Sequence, residues 1–379
     1  MYRVSPQLSG ERFQVLYQLQ GDYDDALAKA RDICIEQSVE FPEDLLPPGD
    51  IPEKIIGRVE DFKPLHDQAY SALISFAVED AGDDLIQLLN VIFGNISIKP
   101  GIRVEKLILP ESLLLNFRGP RFGRAGLRKL FDAPTRPLLC TALKPMGLGP
   151  VQLAEQAYKF AMGGIDIIKD DHGLANQVFA PFEERVKHCA EAVAEANLKT
   201  GYKCIYMPSL GTRADKLVER AHFAKQHGAG GLLVPPAMVG YDSMRMLADD
   251  DTLALPIIAH PAFIGSYVTS LTAGISHYAL FGQIVRLAGA DATIYPNYGG
   301  RFSFSKEECI SIVQGSQTPM GHIAPIFPSP GGGMTMDRVP DMLAVYGKEV
   351  VFLMGGGLHR QTPDLIESSR YFRNIVENM

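Results

Sequence analysis

The sequence predicts an α/β chain of two domains: an N-terminal α+β domain of ferredoxin-like type, then a (β/α)₈ barrel. Three observations predict it. A chain of 379 residues is too long for one compact core and about right for two domains. From about Pro137 onward, short apolar runs alternate with longer amphipathic stretches. Eight such runs, each followed by a helical stretch, are the arithmetic of a closed parallel barrel. The expected domains are 1–125 and 126–379.

In the first domain, Arg12–Leu19 (RFQVLYQL) alternates and carries strand formers. Asp22 then opens a helix in which Ala26, Ala30 and Ile33 recur at near-helical spacing. A Pro-rich loop, FPEDLLPPGDIP, follows. Strands are expected at Lys54–Val59 and Ala72–Ala77, and a helix over Asp83–Phe93 ending at Gly94-Asn95. This pattern describes a small sheet with helices on one side and carries no chemistry by itself.

In the second domain the apolar runs are Pro137–Leu143, Ile165–Lys169, Cys204–Met207, Gly231–Val234, Pro256–His260, Ala292–Tyr295, His322–Phe327 and Val350–Met354. Helices are expected over Val151–Met162, Glu183–Leu198, Arg213–His227, Lys306–Gln314, Val339–Tyr346 and Glu367–Glu377. No Gly-rich dinucleotide fingerprint follows the first strand, which favours closure over a doubly wound open sheet. Barrel chemistry sits at the C-terminal strand ends. The informative residues therefore close the apolar runs: Lys144, Lys169 to His172, His260, Tyr295 and the late glycine tracts.

Composition narrows the function classes. Hydrophobic residues make up 46% and charged residues 21%, the balance of a globular protein. The net charge of −8 and the lack of a basic block leave no electrostatic footprint for nucleic acid. Five scattered cysteines without CxxC spacing argue against a disulfide framework or zinc knot. The N-terminus shows no signal-peptide core, and no uncharged apolar run is long enough to span a membrane, so a cytoplasmic location is expected.

The most chemical segment is Lys169-Asp170-Asp171-His172, closing a buried strand. Desolvation at a barrel mouth penalises an ammonium and lowers a lysine pKa. A neutral lysine can take up CO₂ as a carbamate and, with Asp171, make a hard-cation site for Mg²⁺ or Mn²⁺. Read blandly, the same residues begin a solvated loop. With His172 as a ligand, imidazole would also admit Fe²⁺ or Zn²⁺. With His172 turned away, the site has one protein ligand fewer.

The stretch GGIDIIKDDHGLANQVFAPFEERV resembles the RuBisCO large-chain segment built around GGLDFTKDDE, whose lysine is carbamylated and binds magnesium. Cys140 to Pro145 (CTALKP) is similar to that family's TxKPKxGLS. His260-Pro261-Ala262 sits where the family has HRA after strand five, and Gly299-Gly300-Arg301 falls in its loop after strand six. Gly331 to Gly333 match SGG after strand seven, and Gly355 to Gly357 match GGG after strand eight. In the first domain Gly94-Asn95 resembles the family's GN, and Glu36 falls where a catalytic-face glutamate is expected. The similarity runs in order along nearly the whole chain.

Departures point to the non-carboxylating, form IV or RuBisCO-like, branch. A second active-site lysine is replaced by Met146, a phosphate-binding arginine by Pro261, a histidine after strand six by Ile294, the loop-six lysine by Arg301 and a metal-ligand glutamate by His172. Losing the arginine and histidine removes donors for one phosphate, whereas the glycine tracts can cradle the other. The resemblance thus implies metal-assisted enolisation of a mono-phosphorylated ketose through an enediolate. Lys169, Asp171 and His172 are the implied metal set. Lys144, Lys169, His260 and Arg301 are the implied catalytic residues, and Gly332, Gly333, Gly355 and Gly356 the phosphate cradle.

The implied reaction is isomerisation of 5-methylthioribulose 1-phosphate in sulfur salvage. Alternatives within the branch are enolisation of a diketo-methylthiopentyl phosphate and cleavage of a branched oxo-sugar acid phosphate, with Arg301 or Arg360 holding its carboxylate. Beyond it stand a Schiff-base aldolase and a catalytically silent regulatory protein. Family members pair head to tail, so a homodimer or higher homo-oligomer is expected in which Glu36 and Asn95 complete the neighbour's site.

Overall fold

The computed structural model describes residues 8–66, 68–302 and 304–378, so the stretch read for a leader lies partly outside it, at residues 1–7. The strands are β1 (Arg12–Gln20), β2 (Arg58–His66), β3 (Ala69–Ala77), β4 (Ile102–Ile108), β5 (Leu138–Ala142), β6 (Ile167–Lys169) and β7 (Ile205–Met207), then β8 (Leu232–Val234), β9 (Ile257–Ala259), β10 (Gly274–Ile275), β11 (Ala292–Pro296), β12 (Phe327–Gly331) and β13 (Val351–Leu353). The chain forms two compact units. The first is Met1–Arg118 with Ile264–Ile284 and Thr318–Ile323, and the second is Gly119–Phe263, Val285–Gln317 and Ala324–Met379. The boundary expected at 125/126 falls inside the helix Gly123–Phe131 of the second unit.

The first unit carries a sheet of order β10-β4-β1-β3-β2. Helices Tyr23–Glu36 and Leu85–Phe93 fall between β1 and β2 and between β3 and β4, the βαββαβ order of a ferredoxin-like fold. Strand β1 alternates as its sequence requires, with Phe13, Val15, Tyr17 and Leu19 wholly buried. Asp22 caps the first helix by accepting from Asp25 N at 2.9 Å. The Tyr17 hydroxyl donates to Ile92 O at 2.7 Å, tying the second helix to the sheet.

Two expectations here need correction. Lys54–Val59 is not one strand: Ile51–Ile55 forms a single wide turn and β2 starts at Arg58. The Arg12 guanidinium captures Lys54 O at 2.9 Å and Ile56 O at 2.8 Å, withdrawing those carbonyls from any ladder. Strand β4 was not anticipated. Its register against β1 slips between Leu16 and Tyr17, so Val104 and Leu107 both face the core three residues apart. The bulge erases the period-2 signal.

In the second unit two parallel four-stranded sheets, β13-β5-β6-β7 and β12-β11-β9-β8, build the barrel. A parallel bridge between Ser209 and Leu233 joins β7 to β8. The β12–β13 side has a cause in sequence. Phe327 N donates to Asp291 O and Gly331 O accepts from Asn297 N, so the odd residues of β12 serve the β11 side. Pro328 and Pro330 stand where donors toward β13 would be and have no N–H to give. Gly331 allows close approach there instead, since a Cβ would lie 2.9 Å from Leu353. The seventh strand therefore lies at Phe327–Gly331, not at His322–Phe327 as its apolar run suggested. No helix among the described residues is long and apolar enough to cross a membrane.

The barrel core gathers Leu138, Cys140, Ile167, Met207, Leu233, Ile258, Ala292, Ile294, Phe327 and Val351, joined by Leu127 and Phe131. Because Leu138, Ile167, Ala292, Phe327 and Val351 begin their strands, the helix Gly123–Phe131 closes the N-terminal mouth. Buried Asp291 holds that helix by accepting from Phe122 N and Gly123 N at 2.7 Å and from Ile257 N at 2.9 Å. Polar side chains are left to the opposite, C-terminal mouth.

Candidate active site

Strand β6 delivers Lys169 into the barrel, where only 3% of it is exposed. Its Nζ donates to Asp170 O at 3.0 Å. Burial pushes the Lys169 pKa below the ordinary lysine value, Lys144 pushes it the same way, and Asp171 opposes both.

The two aspartates after Lys169 diverge. Asp170 is wholly buried and accepts from Arg185 Nε at 3.1 Å, the Tyr206 hydroxyl at 2.7 Å and Ser209 N at 3.0 Å. Arg185 also donates to Ala180 O at 2.6 Å and Ala175 O at 2.8 Å, gripping the segment that follows β6. Asp171 instead faces the mouth. One oxygen accepts from the Lys144 ammonium and the other lies 2.9 Å from His172 Nδ1. Burial works against its charge, but hydrogen bonds from His172 and Lys144 and the Lys144 and Lys169 charges prevail, holding its carboxyl well below the usual carboxylate range.

Loops from other strands close around this pair. Lys144 follows β5, and Gln156 fastens its backbone by donating to Lys144 O at 2.6 Å and accepting from Lys144 N at 3.2 Å. His260, following β9, stacks on His172 with ring centroids 4.3 Å apart. Burial and nearby positive groups keep the His260 imidazole neutral, and its Nδ1 accepts from Ala262 N at 3.1 Å, so Nε2 carries the proton. A Cβ on Gly355 would lie 3.7 Å from Lys144 Cε, which puts the tract after β13 against the same lysine.

The tracts after β12 and β13 also meet: a Cβ on Gly357 would lie 2.5 Å from Met334 O. Gly332 and Gly333 adopt φ of +87° and +92°, conformations open mainly to glycine. Arg301 N donates to Gly332 O at 3.1 Å, so the loop after β11 rests on this tract. Arg338 holds that loop by donating to Gly299 O at 2.7 Å and Tyr298 O at 3.0 Å.

The structure thus links Lys144, Asp171, His172 and His260 through direct contacts, with Lys169 and Gly355 beside them. Arg301, Gly332 and Gly333 form an adjoining group. Glu36 and Asn95 meet each other within the first unit, Asn95 Nδ2 donating to Glu36 Oε1 at 2.9 Å. Sequence reasoning missed Arg185, Gln156 and Arg338. Arg185 had left a signal, a charge on the apolar stripe formed by Phe182, Val186 and Cys189.

Among the described residues no three His, Cys, Asp or Glu side chains converge as a ready metal-binding group. The fit of a hard divalent cation therefore turns on Lys169. A buried amine of lowered pKa can take up CO₂, and the resulting carbamate would add an anionic oxygen to Asp171 and His172. The Lys144 ammonium on Asp171 shows that this carboxylate already accommodates a cation. On these grounds the residues fit the group.

A family model described as the ribulose bisphosphate carboxylase large chain, catalytic domain, matches residues 123–364. The chain is similar to the 5-methylthioribulose-1-phosphate isomerase of Rhodospirillum rubrum, 36% identical over 96% of this chain and 95% of that one. It is 32% identical to the 2,3-diketo-5-methylthiopentyl-1-phosphate enolase of Bacillus pumilus, over 86% of this chain and 82% of the other. The solved RuBisCO-like protein of Rhodopseudomonas palustris superposes with a TM-score of 0.88 at 37% identity, covering 97% and 98% of the two chains.

Proposed function

The chain belongs to the ribulose bisphosphate carboxylase large-chain family, in its RuBisCO-like branch, and from that membership we propose a non-carboxylating isomerase of 5-methylthioribulose 1-phosphate in methionine salvage. One observation carries the reading: Lys144 pairs with the Asp171 carboxylate and lies beside the Gly355 tract, where an added Cβ would come within 3.7 Å of its Cε. A proton-moving group thus stands between a cation-holding carboxylate and backbone suited to a phosphate.

Asp171, Lys169 as its carbamate and His172 would hold Mg²⁺ or Mn²⁺. When bound, the cation supplies Lewis-acid polarisation of the ketose carbonyl and acidifies the neighbouring C–H. Lys144, once it has released the proton it holds in its pair with Asp171, takes the substrate proton and returns it at a different carbon while the hydroxyl proton passes to the other enediolate oxygen, which converts the ketose into its isomer. Neutral His260 offers its Nε2–H to a substrate oxygen. The N–H groups of Gly332, Gly333, Gly355 and Gly356 bind the phosphate, and Arg301, whose backbone and stem lie against Gly333, supplies a positive charge from the same loop. Fixing the phosphate in the enediolate plane suppresses its elimination.

The active unit is a homodimer in which the exposed Glu36–Asn95 pair completes the partner's site. The deciding measurement is solvent deuterium exchange into 5-methylthioribulose 1-phosphate with and without Mg²⁺ and bicarbonate. Exchange that needs both supports the reading, and none under any condition overturns it. Exchange into 2,3-diketo-5-methylthiopentyl 1-phosphate alone would assign the enolase reaction instead. Borohydride trapping of substrate on Lys144 or Lys169 would assign Schiff-base chemistry.

A further inference from the structure

The chain leaves the barrel ladder just before Lys144. Leu143 N still donates to Lys169 O at 2.9 Å, but among the described residues the Lys144 N–H and C=O make no backbone–backbone hydrogen bond. One side chain takes both: Gln156 Nε2 donates to Lys144 O at 2.6 Å, and Gln156 Oε1 accepts from Lys144 N at 3.2 Å. Gln156 belongs to the helix Pro150–Met162, whose buried residues include Leu153, Ala157 and Phe160. Spacings of three and four place this half-buried amide on the same apolar stripe. A polar group there is costly unless paired, and Lys144 pairs both of its ends. One turn earlier on the same helix, Gln152 Oε1 accepts from Gly149 N at 2.8 Å. Two glutamines of one helix thus hold the two ends of the Lys144–Gly149 loop.

We infer that Gln156 is a positioning residue for the reaction: its two-point hold on the Lys144 backbone fixes the origin from which the amine reaches the substrate. This rests on the proposed reading of Lys144 as the group that moves the proton. A lysine side chain is long and flexible, so its amine is placed only as well as its two ends are held. The far end pairs with the Asp171 carboxylate. That pairing is given up when Lys144 turns to a substrate C–H, and the backbone end alone then sets the reach. A 13-residue helix with a buried stripe supports that end more firmly than a loop would. Proton transfer depends steeply on geometry, and a displacement of about 1 Å costs on the order of a hundredfold in rate. Binding of the phosphate and the carbonyl is left to other groups, so the loss falls on turnover and not on affinity.

The test is steady-state isomerisation of 5-methylthioribulose 1-phosphate, in Mg²⁺ and bicarbonate, by the full chain and two variants. Urea denaturation gives the folded fraction by which each kcat is corrected. Gln156→Met removes both hydrogen bonds at similar side-chain length. Gln156→Asn keeps an amide but sets it one methylene too far back, and it decides the matter should the methionine variant fail to fold. We expect kcat per folded chain to fall by about tenfold to a hundredfold in both, with KM unchanged. Unchanged kcat in both variants, or a loss confined to KM, would overturn the inference. A native chain that neither isomerises the compound nor exchanges its proton would sink the isomerase reading and this inference with it. A native chain that does both, beside variants that are as fast, would sink this inference alone.

Discussion

Arg185 and Asp170 face each other at 3.1 Å with both side chains wholly buried, directly behind the segment that carries Asp171 and His172. The guanidinium spends its other donors on Ala175 and Ala180 carbonyls, so one buried cation aligns the end of β6 and the loop beyond it. The divergence of two adjacent carboxylates is thereby explained: Asp170 is drawn to Arg185, and Asp171 is left for the mouth.

Removing one member of such a pair strands a buried charge. Arg185→Met is expected to cost about 3–5 kcal/mol, and Arg185→Lys less, since it keeps the charge but loses the fork. Urea denaturation measures both. A loss under about 1 kcal/mol for Arg185→Met would contradict the buried pairing.

Lys169→Met should separate chemistry from stability. The variant removes the amine and leaves an apolar chain of similar length in a buried position. Proton exchange should fall to background and lose its response to bicarbonate, while the denaturation midpoint stays equal or rises. Retained bicarbonate-dependent exchange would remove Lys169 from the mechanism.

Gly333→Ala tests the phosphate cradle. Its φ of +92° strains any side chain, and the new Cβ would lie 3.2 Å from Arg301 N. A stability cost of about 1–2 kcal/mol is expected, with a raised KM for the phosphorylated substrate. An unchanged KM would place the phosphate elsewhere.

Asp80 gives a pH signature remote from the chemistry. Burial raises its carboxyl pKa from 3.8 to about 7, against the pull of Arg12, and Oδ2 has no hydrogen-bond partner among the described residues. The folded chain then binds more protons than the unfolded one between those two values. Stability contributed by this group is fully present below about pH 4 and is lost as pH rises through about 7. Asp80→Asn should therefore stabilise by about 1–2 kcal/mol at pH 8 and by little at pH 4, allowing for partial exposure. Urea midpoints at the two pH values read this directly, and equal gains at both would contradict it.

Subunit complementation tests the dimer. Inactive Glu36→Ala and Lys169→Met chains, unfolded together and refolded as an equal mixture, should recover about a quarter of native activity, since each mixed dimer keeps one intact site. No recovery would mean that Glu36 acts within its own chain, and a Glu36→Ala chain active by itself would mean that it does not act at all.

Much of the barrel was legible because buried parallel strands must be short, apolar and regularly spaced, and the site residues were legible because polar groups closing such strands have few bland uses. Seven of the strands lie within the runs that announced them or overlap them closely. The remaining one, Phe327–Gly331, hid behind its prolines, which local preference assigns to loops and which only the neighbouring β11 ladder makes into a strand. Strand β4 hid behind a bulge, because the register slip against β1 puts Val104 and Leu107 in the core three residues apart and breaks the alternation that marks a strand.

By itself the sequence carried the motifs that resemble the family, most of the strand–helix alternation of the barrel and the residue types that crowd its C-terminal mouth, since these are written in the order of residues along one dimension. Only the tertiary structure decided that Asp170 turns inward to Arg185, that Lys144 pairs with Asp171 beside the Gly355 tract, and that His260 stacks on His172. Each of these joins residues from different strands or loops, and the free energy of a buried charge or a close approach depends on what surrounds it in space, not on its neighbours in the chain.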